Sequence, residues 1–117
     1  SESAKYDNKI SIDLIDFYGV PAILLEESFS KIWRQIGLSL DRSGLVVTDQ
    51  NRDKAIYIIS TNQISNKKTS YEIKLTKRKD NYIVTAHALN KSKISNEDAR
   101  KILKHIIYAY SSNLAKN

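Results

Sequence analysis

The chain has 117 residues, a formal net charge of +6 and no cysteine. Its length suits one domain that can bury a core of its own. The absence of cysteine excludes a disulfide framework and a thiolate metal site. No apolar run approaches the length that a membrane-spanning helix needs.

Charge is unevenly distributed along the chain. Residues 1–53 carry nine acids and six bases, whereas residues 54–117 carry thirteen bases and four acids. The densest basic cluster is Lys74, Lys77, Arg78 and Lys79. Such a cluster can bind nucleic acid, anionic lipid head groups or an acidic protein surface, although a lysine-rich surface more often serves solubility.

Residues 1–18 are predicted to form a flexible or extended N-terminal segment. Ser1–Asn8 is polar, and Lys9–Tyr18 mixes apolar and acidic side chains in a stretch too short to assign to a helix or a strand. Gly19-Val20-Pro21 then separates this segment from the rest, because proline lacks a backbone donor and restricts the residue before it. We therefore place a single domain at residues 19–117.

The clearest element is an amphipathic helix that follows a short strand at Ala22–Glu26. Its apolar residues recur at helical spacing. They are Phe29, Ile32, Trp33, Ile36 and Leu40. Ser28 is a suitable N-cap, and Ser43-Gly44 ends the helix because glycine tolerates the left-handed conformation. The stripe predicts that Trp33 is a core residue.

Four strands and a second helix follow. β-branched residues predict a hairpin of Leu45–Thr48 and Ala55–Ser60 around a polar turn at Asp49–Lys54. Apolar and polar residues alternate in Ser70–Lys77, and Tyr82–Leu89 is the next strand. The last helix opens with an S-x-x-D capping signal, Ser95-Asn96-Glu97-Asp98, and continues with an apolar stripe.

The resulting element order is β-α-β-β-β-β-α. Hairpin-length connections make the sheet antiparallel, and two amphipathic helices can bury their stripes on one sheet face. We predict an α+β fold in which an antiparallel sheet of about five strands carries two helices on one face. The other face is then open, with Ile56, Ile58 and Ile83 on it.

Residues 23–59 resemble the repeated domain of the BamC family (also called NlpB), lipoproteins of the bacterial outer-membrane β-barrel assembly machinery. The matching positions are Phe29, Trp33-Arg34, Gly37, Ser39-Leu40-Asp41-Arg42, Gly44, Val47, Asp49, Arg52 and Tyr57. Leu45 stands where the family pattern has an aromatic, and Ala55 stands where it has glycine. The resemblance implies a helix-grip fold, which agrees with the architecture predicted above, and it weakens toward Leu114.

The same resemblance implies a location and a set of partners. It places the domain at the outer membrane on the periplasmic side, tethered through a lipidated cysteine upstream of this chain, with the signal sequence also upstream. Its partners would be proteins of the β-barrel assembly complex. In that family an extended segment before the domains binds a neighbouring lipoprotein, but Lys9–Phe17 does not match that segment residue by residue.

Catalytic and cofactor-binding motifs are absent from the sequence. His87 and His105 are the only histidines, and three glycines cannot form a phosphate-binding loop. The acid pairs Glu26-Glu27 and Glu97-Asp98 stand where helices begin, so the helix dipole explains them better than acid–base catalysis. We predict that the protein is not an enzyme and needs neither a cofactor nor a metal.

Partner binding is predicted at two groups of residues. Arg42, Asp49 and Arg52 match the family pattern without being needed for an apolar core. Ile56 and Ile58 belong to the open sheet face, and an exposed apolar patch often marks a protein contact. For Asp49 and Arg52, a local turn hydrogen bond or ion pair is the simpler interpretation.

These observations favour a non-catalytic protein-interaction module of an outer-membrane lipoprotein, an accessory component of β-barrel outer-membrane protein assembly. The alternative is a helix-grip carrier of a small molecule or lipid, for which Ala86 and Ala88 would leave space under the helices. A nucleic-acid-binding basic domain ranks third, because RNA-binding sheets add exposed aromatics and none is evident around Lys74–Lys79. No nucleic-acid partner is therefore expected.

Overall fold

The computed structural model describes residues 12–89 and 93–115. In chain order the elements are β1 (Leu14–Phe17), β2 (Val20–Leu25), α1 (Phe29–Arg42), β3 (Val46–Asn51), β4 (Ile56–Thr61), β5 (Thr69–Lys77), β6 (Tyr82–Ala88) and α2 (Asn96–Ala115). The strands form one antiparallel sheet in the order β1-β2-β6-β5-β4-β3. The predicted α+β class is confirmed, and β1 and β3 are the two edges.

The sheet has six strands rather than about five, because β1 lies within the predicted N-terminal segment. β1 pairs with β2 from Leu14↔Ile23 to Phe17↔Val20. The two strands are joined by Tyr18 and Gly19, both at positive φ, which lets a two-residue turn match the twist of the strands. Residues 1–11 of the predicted segment lie outside the described residues.

Local sequence signals set the ends of α1. The backbone N–H of Lys31 donates to Ser28 Oγ at 3.4 Å, as expected of an N-cap serine. At the other end, Gly44 has φ +75°, and Leu45 N–H donates to Leu40 O at 3.1 Å. Gly44 N–H also donates to Asp41 O, which completes a Schellman motif. The helix therefore begins and ends where the sequence predicts.

The β3–β4 hairpin is longer than predicted and its turn is shorter. Pairing continues to Asn51↔Ile56, past an irregularity between Val47 and Asp49. Asp49, predicted in the turn, is therefore a strand residue opposite Ile58. The turn itself closes with a hydrogen bond from Ala55 N–H to Arg52 O at 3.0 Å.

Both helices pack on the same face of the sheet, as predicted. The core between the two layers is filled by side chains with at most 1% of their surface exposed. They include Ile23, Ile32, Ile36, Ile59, Ile73, Val84, Ile102, Leu103 and Ile106. Trp33 is 7% exposed and belongs to this core, which confirms its predicted place. Ala86 and Ala88, the small residues of the carrier alternative, line a cleft of about 490 Å³ between β6 and the start of α2.

Candidate interaction surface along strand β3

Three residues of the family pattern, Trp33, Gly37 and Tyr57, form a contact between α1 and β4. Tyr57 Oη donates a hydrogen bond to the backbone oxygen of Trp33 at 2.8 Å, and the two rings stack with centroids 4.0 Å apart. A Cβ atom on Gly37 would lie 2.6 Å from Tyr57 Oη. Burial raises the pKa of Tyr57 to about 12, so the phenol keeps the proton that it donates.

Arg52 fastens the hairpin turn to the first turn of α1. Its Nη2 donates to Ser30 Oγ at 2.9 Å, and its Cζ lies 5.7 Å from the centroid of the Phe29 ring. Phe29 in turn lies against Trp33 and Tyr82, each with a centroid distance of 5.8 Å. Arg52 therefore has a structural role in addition to any contact with a partner.

A groove separates α1 from β3 on the helix side of the sheet. Its volume is about 290 Å³, and its lining residues are Arg34, Gly37, Leu38, Asp41, Val47, Gln50 and Tyr57. Five of these are family-pattern positions. Arg34 and Asp41 are exposed on the helix, so packing of the core does not account for their presence. The groove therefore collects pattern residues that are not needed for an apolar core.

The opposite side of β3 belongs to the open sheet face. Asp49 pairs with Ile58, and Asn51 pairs with Ile56, so the two isoleucines share this face with two polar residues of β3. Both isoleucines are half-buried, whereas Val46 at the start of β3 is 59% exposed. Asp49 accepts a hydrogen bond from Gln50 N–H at 2.8 Å. This is a local hydrogen bond, as the simpler interpretation of Asp49 predicts.

On β2 and β6, the sheet face that the sequence predicts to be open carries buried residues. Register with Leu24 and Thr76 places Ile83 on this face, yet Ile83 has no exposed surface. Ala22 is equally inaccessible, and Thr85 is 8% exposed. The expectation that Ile83 contributes to an open apolar patch is therefore wrong. His87 on β6 is exposed on the same face, so the face is closed around Ala22, Ile83 and Thr85 but not along the whole of β6.

The structure brings three of the five predicted partner-binding residues together. Asp49, Ile56 and Ile58 are neighbours on the open face, while Arg52 turns toward α1. Arg42 ends the 14-residue helix that starts beside Arg52. At 1.5 Å per residue the two arginines lie at ends of α1 that are about 20 Å apart. They do not form one site.

Sequence reasoning missed Leu38, Gln50 and Val46. Leu38 is 36% exposed at a position where the periodicity of α1 predicts a polar side chain. An apolar residue on the polar side of an amphipathic helix was the available signal. The place of Gln50 in the groove depends on the strand register after the irregularity in β3, which the sequence does not reveal.

The remaining chemistry of the described residues is limited. Within residues 12–89 and 93–115 there is no group of three His, Asp or Glu side chains positioned to hold a metal ion. Among the described helices, none is long and apolar enough to cross a membrane.

The fold is a two-layer α+β domain with both helices on one face of an antiparallel sheet. The family model of the outer membrane protein assembly factor BamC-like C-terminal domain matches residues 12–109. The chain belongs to that family, which confirms the resemblance found in the sequence.

Two curated relatives carry the name outer membrane protein assembly factor BamC. The protein from Accumulibacter regalis is 42% identical over 41 residues, which are 35% of this chain and 11% of that protein. The protein from Thiobacillus denitrificans (strain ATCC 25259 / T1) is 43% identical over 35 residues, which are 30% of this chain and 10% of that protein. Each matched segment is thus about a tenth of its relative's length.

Proposed function

We propose that this chain is a non-catalytic protein-interaction module of an outer-membrane lipoprotein that assists assembly of β-barrel outer-membrane proteins. Family membership and the names of the two relatives support the assembly role. We further propose that the domain acts on the periplasmic side, with a lipid anchor elsewhere in the protein. Its partners are proteins of the β-barrel assembly complex.

The observation that supports an interaction role is the exposure of β3. This edge strand has five exposed residues and one half-buried residue, so no side chain of it is fully buried. A groove lined by Leu38 and Val47 runs along one side of it, and Ile56 and Ile58 lie on the other. A partner that binds here would contact apolar side chains on both sides of one strand.

The backbone of β3 makes simple strand addition an unsuitable binding mode. The irregularity between Val47 and Asp49 interrupts the ladder, and a bulge of this kind protects a sheet edge from pairing with another strand. Recognition would therefore depend on side chains. Arg34 and Asp41 in the groove and Asp49 on the face would supply charged contacts around an apolar centre.

Two substitutions test this function without touching the core. Leu38→Asp puts a carboxylate into the groove, and Asp49→Lys reverses the charge on the open face. Each should weaken binding to the purified, detergent-solubilised β-barrel assembly complex. The new carboxylate of Leu38→Asp would lose its hydration in an apolar contact, and the lysine of Asp49→Lys would repel a cationic group of the partner. Binding is measured by surface plasmon resonance, and stability is measured by thermal melting.

Tyr108→Asp is the matched control for Leu38→Asp. Tyr108 is 78% exposed on α2, so this variant adds the same charge at another exposed helical position. It should bind the complex as the unaltered protein does. If the unaltered chain binds no component of the complex, or if the control weakens binding as much as Leu38→Asp does, the proposal is wrong.

A further inference from the structure

The tip of the β1–β2 hairpin exposes apolar side chains. Tyr18 is 86% exposed and Val20 is 41% exposed. Tyr18 has φ +51°, a left-handed conformation that tyrosine rarely adopts and that glycine or asparagine accepts more easily. Its ring meets that of Phe17 edge-on, with centroids 4.7 Å apart. The conformation thus presents an aromatic ring to solvent at the end of a hairpin.

The basic turn between β5 and β6 lies against this hairpin. The Cζ atom of Arg78 is 5.0 Å from the centroid of the Phe17 ring, although the two residues are 61 positions apart in the chain. The backbone N–H of Arg78 donates to Asn81 O at 2.7 Å, which fixes the turn that carries Lys79. The Arg78 side chain therefore connects the basic turn with the hairpin, and Phe17, Tyr18, Val20, Arg78 and Lys79 are together called the tip surface here.

The charge of this turn is uncompensated. Lys74, Lys77, Arg78 and Lys79 are all exposed, and Asp80 is the one acid between residues 74 and 80. Within the part of the chain that the structure describes, none of these four cations forms an ion pair. Lys77 instead lies over the Tyr82 ring, with its Nζ 5.2 Å from the centroid. The cations are therefore available to an anionic partner.

We propose that the tip surface binds the phosphate groups of an anionic phospholipid bilayer. Tyrosine sits favourably at the boundary between head groups and acyl chains, where its ring is in an apolar environment and its hydroxyl stays hydrated. Lys and Arg beside it are attracted to an anionic leaflet while their aliphatic stems cover apolar surface. Val20 adds aliphatic surface that can enter the same boundary.

A bilayer fits these residues better than nucleic acid does. Binding of single-stranded nucleic acid uses aromatic rings in a row along a basic groove. Here Tyr18 stands alone at a hairpin tip, and Phe17 is half-buried with its ring already engaged by Arg78 and Tyr18. The exposed aliphatic side chain of Val20 has no role in base stacking.

This inference does not depend on the proposed function, because the tip surface and the β3 surface share no residue. In a lipid-anchored protein it would add a second, reversible contact that orients the domain on the membrane. One weak attachment becomes stable when a second, basic one accompanies it. The β3 surface would then have a fixed orientation relative to the membrane.

The test uses the 117-residue chain and unilamellar vesicles of phosphatidylcholine, with or without phosphatidylglycerol. Co-sedimentation should show binding only to the anionic vesicles and less binding at high salt. Neutralising two cations with Arg78→Gln and Lys79→Gln should lower the partition coefficient about 25-fold, since each cation near an anionic surface contributes about fivefold.

Two further variants separate the tip surface from net charge and from misfolding. Arg100→Gln with Lys104→Gln removes one arginine and one lysine from α2 and should leave vesicle binding nearly unchanged. Tyr18→Gly removes the exposed ring at a position whose φ suits glycine, so it should fold normally and still bind vesicles several-fold more weakly.

Three results would overturn the proposal. The first is no binding of the unaltered chain to anionic vesicles. The second is an equal loss of binding in the α2 control, which would mean that net charge alone acts. The third is salt-dependent binding to single-stranded RNA that needs Arg78 and Lys79, with no vesicle binding, which would favour nucleic acid instead.

Discussion

Tyr57 and Trp33 are joined by a stacked ring pair, with centroids 4.0 Å apart, and by a hydrogen bond of 2.8 Å from the Tyr57 phenol to the Trp33 carbonyl. The phenol reaches that carbonyl because Gly37, one helical turn further on, has no side chain. The family pattern in this segment therefore encodes the packing of α1 on β4. The residues that recognise a partner are therefore expected among the exposed positions of the pattern.

Emptying the Trp33 site should strongly destabilise the domain. Trp33→Ala removes a ring that is 7% exposed and packs against Tyr57 and Phe29. The expected loss is about 3–5 kcal/mol of unfolding free energy, the usual cost of deleting a core aromatic. Urea denaturation measures it, and a loss below about 1 kcal/mol would contradict the core position of Trp33.

Filling the gap at Gly37 should also be costly. Gly37→Ala would place a Cβ 2.6 Å from Tyr57 Oη, so either the helix or the phenol must move. We expect a loss of about 1–3 kcal/mol, as for other overpacked sites. The same substitution should cost less in a Tyr57→Phe background, where the hydroxyl is absent. Equal losses in the two backgrounds would show that the phenol is not the obstacle.

Ala55→Gly should stabilise the protein. Ala55 has φ +59°, where the Cβ of an L-residue is strained by about 1–2 kcal/mol. Glycine relieves that strain but gains about 0.4–1 kcal/mol of unfolded-state entropy, so the expected net gain is about 0.5–1 kcal/mol. Thermal melting measures it. Ala55→Val is the control and should lower stability, since β-branched residues fit this conformation poorly.

The two predicted arginines should respond differently to charge reversal. Arg52→Glu loses the hydrogen bond to Ser30 and the contact with Phe29, which should cost about 0.5–1.5 kcal/mol. Arg42→Glu at the exposed C-terminus of α1 should cost less than about 1 kcal/mol through its interaction with the helix dipole. Chemical denaturation of both variants tests this, and a larger loss for Arg42→Glu would contradict the structure.

Stability should fall at high pH because of two buried tyrosines. Burial raises the pKa of Tyr57 to about 12, and burial with a smaller effect of Glu27 raises the pKa of Tyr110 to about 12. Both pKa values lie above the ordinary value of 10.0. The contribution of the two neutral phenols to the free energy of unfolding is therefore complete below pH 10.0 and is lost as the pH rises toward 12. Tyr57→Phe and Tyr110→Phe should each reduce that decline in pH-dependent denaturation. An unchanged decline in both would contradict it.

The sequence by itself determined the elements whose causes are local. Periodicity gave the apolar stripe of α1, and Ser28 and Gly44 gave its ends, because capping depends on residues within one turn. Alternation in β5 correctly assigned Tyr71, Ile73 and Leu75 to the buried face. The resemblance in residues 23–59 then led to the family, and three of its positions, Trp33, Gly37 and Tyr57, make the packing contact of α1 with β4.

Only the tertiary structure decided the features that depend on register and on contacts far apart in sequence. A residue inserted in β3 aligned Asp49 with Ile58 and moved the turn to Arg52. Pairing with β2 made a strand of an N-terminal stretch whose local pattern indicated none. Ile83 has no exposed surface, and Arg78 meets Phe17, although the local sequence around either residue indicates neither feature. Exposure is a property of the packed molecule, so local periodicity alone cannot assign a surface.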